Sequence, residues 1–548
     1  MKFLKKNIQY ILLAIILCAS LCLRVNQLNI IPVGMTDDEV REVYSAYSLW
    51  HTGRDLTQGI FLPFSFVLHD FSFTPVPVYI TAPFVGLFGL SPASARLPFA
   101  LAGVGVVFLT YLLIKRLLGN PAVALLSAAV LAINVWAIQL SRMAYEAEFA
   151  LLFYLWGTYI FLGNWKKHPY GSALGSMAVL FLAFNSYNAT KLVYIPLLLV
   201  LLWYKRKEIA GKKYLLGVVA GSVLATIGIF AYFTFFQGAS AHGGYFLIFQ
   251  DTGAAAQAVE LARRASSAPH ILQVLYHNKL TYFIDQVTSH YLYAFSPDYL
   301  FLNQEGSGIY SLWSRGNFYL IALPFLFIGL FSLWKRQSKL FIFATLAVII
   351  AALPSGIGPP PFTYATRSSF MLPWLALFMA FGIYSLVQSV KFIKIRIILT
   401  ALIIAVYAYY VGGYLTQYYF EWPRYSAKSF AEDQKDIISY INHYPDKQAK
   451  FVITNVSDMF FLQYAFYTHT DPRQIQQLYR TSEKPTEFAH MTVIPTCIAT
   501  SGADPRGFVP VGTIYITSSA CHTQQPDDAL FLPDGEQMWN MYKGAVTL

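Results

Sequence analysis

Three consecutive carboxylates, Asp37-Asp38-Glu39, follow Met35-Thr36 and open a stretch in which Val40, Val43, Tyr44 and Tyr47 recur at helical spacing. A carboxylate there can take the proton of an attacking hydroxyl if it sits within about 3 Å of it. The same residues also suit a purely structural part. Thr36-x-x-Glu39 fits a capping box, and Asp37 and Asp38 favour the positive end of a helix dipole. Spacing leaves both readings open. The periodicity predicts a helix through about Trp50, lying with its apolar face on the membrane surface.

A second polar group is Ser141-Arg142-Met143-Ala144-Tyr145-Glu146-Ala147-Glu148. Arg142 is either an interfacial anchor reaching for lipid headgroups or a fork-shaped donor to a phosphate, with Glu146 as a second acidic group. A third comprises His69-Asp70, the proline-stiffened run Phe73-Thr74-Pro75-Val76-Pro77-Val78-Tyr79, and Ala95-Arg96-Leu97-Pro98. Arg96 reads as a snorkelling anchor or a further phosphate ligand. Lys191, His290, Arg315, Tyr364 and Arg367 complete the polar residues suited to an anionic lipid head. The histidines show no HExxH spacing and there is no CxxC pair. No Walker A or Rossmann glycine pattern occurs, so cytoplasmic nucleotide use has no support. Asn188-Ala-Thr190 and Asn455-Val-Ser457 fit the N-glycosylation sequon.

The elements that carry these groups are set by composition. Of 548 residues, 56% are hydrophobic and 12% charged, against about 25% charged in soluble domains. Apolar runs predict about eleven transmembrane helices, at 8–24, 98–114, 121–139, 149–164, 172–188, 192–204, 214–236, 317–334, 340–356, 370–388 and 397–415. The net charge of +11 is concentrated in alternate short loops, at 2–6, 115–116, 166–167, 205–213, 335–339 and 391–396. The positive-inside rule puts those loops and the N-terminus in the cytoplasm, so the basic balance reports topology and gives no reason to expect nucleic acid. The first span reads as an uncleaved signal anchor, because no small-x-small site follows Cys22.

The expected organisation is a membrane domain over 1–415, with a long first outer loop at 25–97 and a large one at 237–316, and an extracytoplasmic domain over 416–548. In the latter, 450–455 and 512–517 read as strands and 457–469 as a helix, hence a small α/β module. Cys18 and Cys22 lie in the first span; Cys497 and Cys521 lie outside, where a disulfide between them is chemically open. The span cores hold almost no ionisable residues. Ion-coupled transporters place such groups near the midplane, so chemistry at the outer interface is favoured over a translocation path.

In order and sidedness these stretches resemble the GT-C glycosyltransferases of the protein O-mannosyltransferase and lipid A aminoarabinose transferase type (family 39-like). The match runs through Asp37-Asp38-Glu39, Tyr44, Gly53, Pro75, Tyr79, Phe88-Gly89, Ala95-Arg96-Leu97-Pro98 and Ser141-Arg142, over roughly 1–415. Weaker echoes are the run from His290 to Pro297, Tyr299-Leu300-Phe301 and Ala365-Thr366-Arg367. The resemblance implies a polytopic GT-C fold in a cell membrane and a polyprenyl-monophosphate sugar donor. It also implies inverting transfer to a protein, lipid or polysaccharide on the outer face. It makes Asp38, aligned with Glu39 in an Asp-Glu pair, the general base or acceptor-binding acid, with Asp37 a neighbour or the base in a shifted register. It makes Arg142 the ligand of the carrier phosphate, with Arg367, Lys191 and Arg96 as further candidates. Many relatives have an Asp five residues beyond the Arg, whereas Glu146 is four and Glu148 six beyond here. Some GT-C enzymes use a divalent metal, and the sequence leaves that open. The competing classes are a polyprenyl-lipid flippase and a membrane receptor whose tail binds a partner.

Overall fold

The computed structural model describes residues 2–57, 59–68, 71–163, 165, 167–236, 248–250, 252–358, 364–482 and 484–546. His69, Asp70 and Lys166 lie outside the described residues. The chain divides into two compact units: 1–26, 71–76 and 99–414 form one; 27–70, 77–98 and 415–548 form the other.

The first unit is helical and membrane-spanning. Among the described residues six helices are long and apolar enough to cross a bilayer: Asn7–Val25, Pro92–Leu118, Tyr214–Phe233, Ser338–Gly356, Ser369–Ser389 and Ile393–Tyr425. A seventh follows if the pair Pro121–Ala132 and Val135–Ser141, bent by 61°, is one span. The remaining expected spans are also helices, Ala147–Phe161, Pro169–Phe184, Thr190–Ile209 and Ala322–Arg336, but do not meet that length and apolarity. The bend has a local cause. The Asn134 side chain accepts from the Ala137 amide at 2.9 Å while its Nδ2 donates to the Asn317 carbonyl at 2.9 Å, so it starts a new helix instead of continuing the old one.

Packing within this unit separates interior from lipid-facing helices. Leu372–Ser389 is buried along most of its length, whereas Ile393–Thr416 leaves Ile397, Ile398 and Leu402 exposed, as a helix bathed in hydrocarbon can. Ala322–Arg336 crosses Leu372–Ser389 at Gly329 and Gly382. A Cβ at either position would overlap a carbonyl oxygen of the other helix, Phe378 or Phe325. Small residues at such crossings let backbones approach, the main source of helix association in lipid.

The second unit is built on a six-stranded sheet in the order Glu487–Phe488, Met491–Ile494, Lys450–Thr454, Thr513–Ser518, Gln537–Lys543, Asp528–Phe531. The central strand Lys450–Thr454 pairs in parallel with both neighbours, Phe451 opposite Met491 on one side and Ile514 on the other. The expected strands at 450–455 and 512–517 and the helix at 457–469 are therefore present, the last as Phe460–Thr468. Phe451, Ile453, Ile514, Ile516, Trp539 and Met541 form the core with Ile437, Ile441, Phe460 and Phe461. Cys497 and Cys521 are joined in a disulfide.

The same unit takes in most of the segment expected as the first outer loop, including the helix Asp37–Thr52. Its apolar face was expected to meet the membrane surface. Val40, Val43 and Tyr44 are instead fully buried under the helices Phe460–Thr468 and Pro472–Thr481. Tyr44 Oη donates to the Thr470 carbonyl at 2.7 Å, and Gln476 Nε2 donates to Ser48 Oγ at 2.9 Å and Thr52 Oγ1 at 2.8 Å. Periodicity shows that a face is buried, and not by what.

Candidate functional site

The acidic turn is organised by its cap. Thr36 Oγ1 accepts from the Glu39 amide at 3.2 Å and Glu39 Oε2 accepts from the Thr36 amide at 3.1 Å, a complete capping box. Both oxygens of the Glu39 carboxylate also meet Arg96, from Nε at 2.8 Å and from Nη2 at 2.9 Å. Arg96 spends further N–H groups on the carbonyls of Pro32 and Gly34, both at 2.8 Å. Arg96 and Glu39 are 0% exposed. Arg96 was read as a lipid anchor or phosphate ligand; the geometry has it knitting the loop before the acidic turn onto the helix Pro92–Leu118. Gly34 has φ +61°, and a Cβ there would overlap the Phe430 carbonyl, so this crossing requires glycine.

Asp37 and Asp38 sit differently on that turn. Asp38 is 58% exposed and pairs with Arg41 at 2.7 Å. Asp37 is half-buried and accepts from Gln463 Nε2 at 3.1 Å. Burial pushes its carboxyl above the usual range, opposed by the Gln463 hydrogen bond and the nearby Ser457 hydroxyl.

In the helical unit, Arg142 is fully buried, and its Nη1 donates to the carbonyls of Leu23 at 3.0 Å and Arg24 at 3.1 Å. A guanidinium at the C-terminal end of a helix satisfies carbonyls that lack an intrahelical partner and meets the negative end of the dipole. The residue read as a phosphate fork thus ties Val135–Ser141 to the end of the first span. Arg24, outside the residues expected at the site, is buried beside it. Arg24 Nη1 donates to Ser20 Oγ at 2.8 Å and the Ala132 carbonyl at 3.1 Å, with the buried Glu148 within electrostatic reach. The signal was available: with the orientation that the positive-inside rule predicts, an arginine at the far end of the first span runs against that bias.

Another cluster in this unit gathers Glu146, Lys191, His290, Tyr364 and Arg367, while Arg315 lies beside Gly413 and Tyr319. Glu146 Oε1 accepts from the Thr74 amide at 3.0 Å, and Thr74 Oγ1 donates to the Ser186 carbonyl at 2.8 Å. Lys191 donates to Asn188 Oδ1, lies 4.4 Å from the Phe230 ring centroid, and is within electrostatic reach of Glu146. Tyr187 Oη donates to Thr366 Oγ1 at 3.1 Å and lies within electrostatic reach of Arg367. Arg367 is half-buried and acts electrostatically on His290, Glu305 and Tyr364. Two cations and two acids are thus brought together from 146, 191, 305 and 367.

Glu305 was not singled out by sequence. Its Oε2 accepts from the Ala365 amide at 2.7 Å, while Oε1 is buried without a hydrogen-bond partner among the described residues. Burial pushes its carboxyl up to about 8, against the opposing pull of the Ala365 amide and Arg367. Burial and the Arg367 charge push His290 below its ordinary value. The hint in sequence was a lone acid after an aromatic run, in Asn303-Gln304-Glu305-Gly306. Among the described residues no three His, Cys, Asp or Glu side chains gather to hold a metal ion.

Comparison with known proteins agrees with this architecture. Residues 72–230 match the family described as dolichyl-phosphate-mannose-protein mannosyltransferase. The chain is 29% identical over 192 residues to the "Putative mannosyltransferase YycA" of Bacillus subtilis (strain 168), a stretch covering 35% of this chain and 27% of YycA. The chain therefore matches about a quarter of that relative's length. Among solved structures it is similar to ArnT from Cupriavidus metallidurans in the apo state, with TM-score 0.56 and 11% identity over 97% of each chain. The same protein bound to undecaprenyl phosphate gives 0.51. AglB from Archaeoglobus fulgidus, in complex with an inhibitory peptide and a dolichol-phosphate, gives TM-score 0.50 and 13% identity over 94% of this chain and 70% of that one. The chain thus shares its fold with these membrane proteins, and its residues 72–230 are similar to the mannosyltransferase family.

Proposed function

We propose that the chain is an inverting glycosyltransferase that moves a sugar from a polyprenyl-monophosphate donor to a hydroxyl-bearing acceptor on the outer face of a cell membrane, with the N-terminus cytoplasmic and the C-terminal domain outside. The observation that carries this is the grouping of Lys191 and Arg367 with Glu146, Glu305 and Tyr187 in the helical unit. Solved structures of the same fold that hold undecaprenyl phosphate and dolichol-phosphate support a lipid-phosphate ligand.

In the proposed reaction the acceptor oxygen attacks the anomeric carbon as the bond from that carbon to the carrier phosphate breaks, so configuration inverts. Asp38, exposed at the start of its helix, takes the proton of the attacking hydroxyl. The carrier leaves as polyprenyl phosphate with one more negative charge, which Arg367 and Lys191 offset. A phosphate is already a good leaving group, so positioning, a base and positive charge suffice. Glu39, Arg96 and Arg142 hold the framework in this scheme, and Glu146 orients the turn at Thr74.

The test is transfer in proteoliposomes, with radiolabelled undecaprenyl-phosphate mannose as donor probe and a membrane extract as acceptor. Carrier-dependent labelling that is lost in Asp38→Asn and weakened in Arg367→Ala is expected. Wild-type transfer by Asp38→Asn would sink the base assignment. Labelled lipid that changes leaflet without being consumed would replace the enzyme by a flippase.

A further inference from the structure

The acidic turn is held from outside its own segment. Gln463, on the helix Phe460–Thr468, is 0% exposed. Its Nε2 donates to the Met35 carbonyl at 2.9 Å and to Asp37 Oδ1 at 3.1 Å, across 428 and 426 residues of sequence. Those two acceptors flank Thr36, the residue that caps the helix, so one amide group bridges the point where the chain turns into Asp37–Thr52. Ser457 lies within reach of the same Asp37 carboxylate and favours its charged form.

The orientation of the Gln463 amide follows from its surroundings. Turned over, its oxygen would face a carbonyl and a carboxylate, two acceptors with no proton to share. Oε1 in the observed orientation is buried and has no hydrogen-bond partner among the described residues. Burying that oxygen unpaired is costly, and the arrangement gives up one hydrogen bond in order to aim both amide protons at the acidic turn. A residue that only filled the interface would be satisfied better by an apolar side chain of the same shape. On the next helix, Pro472–Thr481, Gln476 also bonds Asp37–Thr52, but at Ser48 and Thr52, more than two turns from the acids.

We propose that Gln463 and Ser457 are positioning residues for the transfer reaction: acting through Asp37, the C-terminal domain sets the geometry of the turn that presents Asp38. This rests on the reading of Asp38 as the base. It gives the C-terminal domain a part in the chemistry and not only in choosing or anchoring an acceptor. Sub-ångström misplacement of a base is enough to cost rate, because proton transfer needs hydrogen-bond geometry.

The experiment measures kcat and donor KM in proteoliposomes, with undecaprenyl-phosphate mannose and a membrane extract, together with thermal stability in the same preparations. The variants are Gln463→Met, which keeps the volume and removes both donors, Ser457→Ala, Asp37→Asn and the Gln463→Met/Asp37→Asn pair. Gln463→Met is expected to lower kcat about tenfold with donor KM within about twofold, the loss of a hydrogen bond to a charged group. The paired variant should be no worse than the poorer single one, since both break the same link. Gln476→Leu should lower thermal stability and leave kcat unchanged. If Gln463→Met fails to fold, Ser457→Ala read against Asp37→Asn carries the same test. Unchanged kcat in Gln463→Met and Ser457→Ala, or losses that add in the paired variant, would overturn the proposal. Wild-type transfer by Asp38→Asn would remove the base assignment and this proposal with it, whereas transfer lost in Asp38→Asn but unchanged in Gln463→Met would overturn the positioning role alone.

Discussion

Arg96 holds both carboxylate oxygens of Glu39 at 2.8 and 2.9 Å, with neither side chain exposed to solvent. The pair connects the helix Pro92–Leu118 to the cap of Asp37–Thr52, and the same guanidinium closes the loop between them through Pro32 and Gly34. Two residues whose types suggested anion binding and acid–base chemistry thus satisfy each other.

Removing one partner of this pair leaves a buried charge uncompensated, which costs about 3–5 kcal/mol. Arg96→Met and Glu39→Gln are each expected to lower thermal stability sharply in detergent, and Arg96→Lys to rescue little, because an ammonium cannot supply the planar fork. Stability of Arg96→Met equal to the parent would show that the pair does not hold the turn.

Arg367 is expected to act on the donor and not on the fold. It is half-buried and linked to Tyr187, and a lost charge-assisted contact to phosphate raises donor KM roughly ten- to hundredfold. Arg367→Ala should show that rise with thermal stability nearly unchanged, and Arg367→Lys an intermediate value. Kinetics across a range of donor concentrations decide it; an unchanged KM removes Arg367 from the phosphate site.

Glu305 should make stability depend on pH. Its carboxyl is pushed up to about 8 in the folded chain, against about 4.3 when unfolded. The folded state therefore binds the extra proton between those values. Its contribution is fully present below about pH 4 and is lost as pH rises through about 8. Glu305→Gln, which keeps the neutral shape, should flatten the fall in thermal stability across this window. An identical slope in parent and variant would mean that Glu305 is ionised throughout.

Gly329 and Gly382 leave no room for a side chain where Ala322–Arg336 crosses Leu372–Ser389. Alanine at either position must push the helices apart, at about 1–3 kcal/mol. Each single variant should unfold at lower temperature than the parent, and Gly217→Ala, where a Cβ meets nothing within 4 Å, should not.

Much of the fold was legible because its physics is local. Apolar runs and flanking lysines define spans without reference to any other segment, and every expected span falls on helix, 121–139 and 340–356 each on two. The strands at 450–454 and 513–518 announced themselves by β-branched runs, and Thr36-x-x-Glu39 named its own capping box. The break at Asn134 was missed, because an asparagine in an apolar run only becomes a cap once Asn317 is there to bond it.

The site was legible in its residue types and not in its pairings. The sequence by itself placed Asp37, Asp38, Glu39, Arg96, Arg142, Glu146, Lys191 and Arg367 among the polar groups of interest, since charged residues in so apolar a chain are few and costly. Only the tertiary structure decided that Arg96 belongs to Glu39, that Arg142 belongs to the end of the first helix, and that Gln463 belongs to Asp37. A hydrogen bond reads distance and direction in space, and partners 57, 119 and 426 residues apart leave no periodicity in the chain for sequence to reveal.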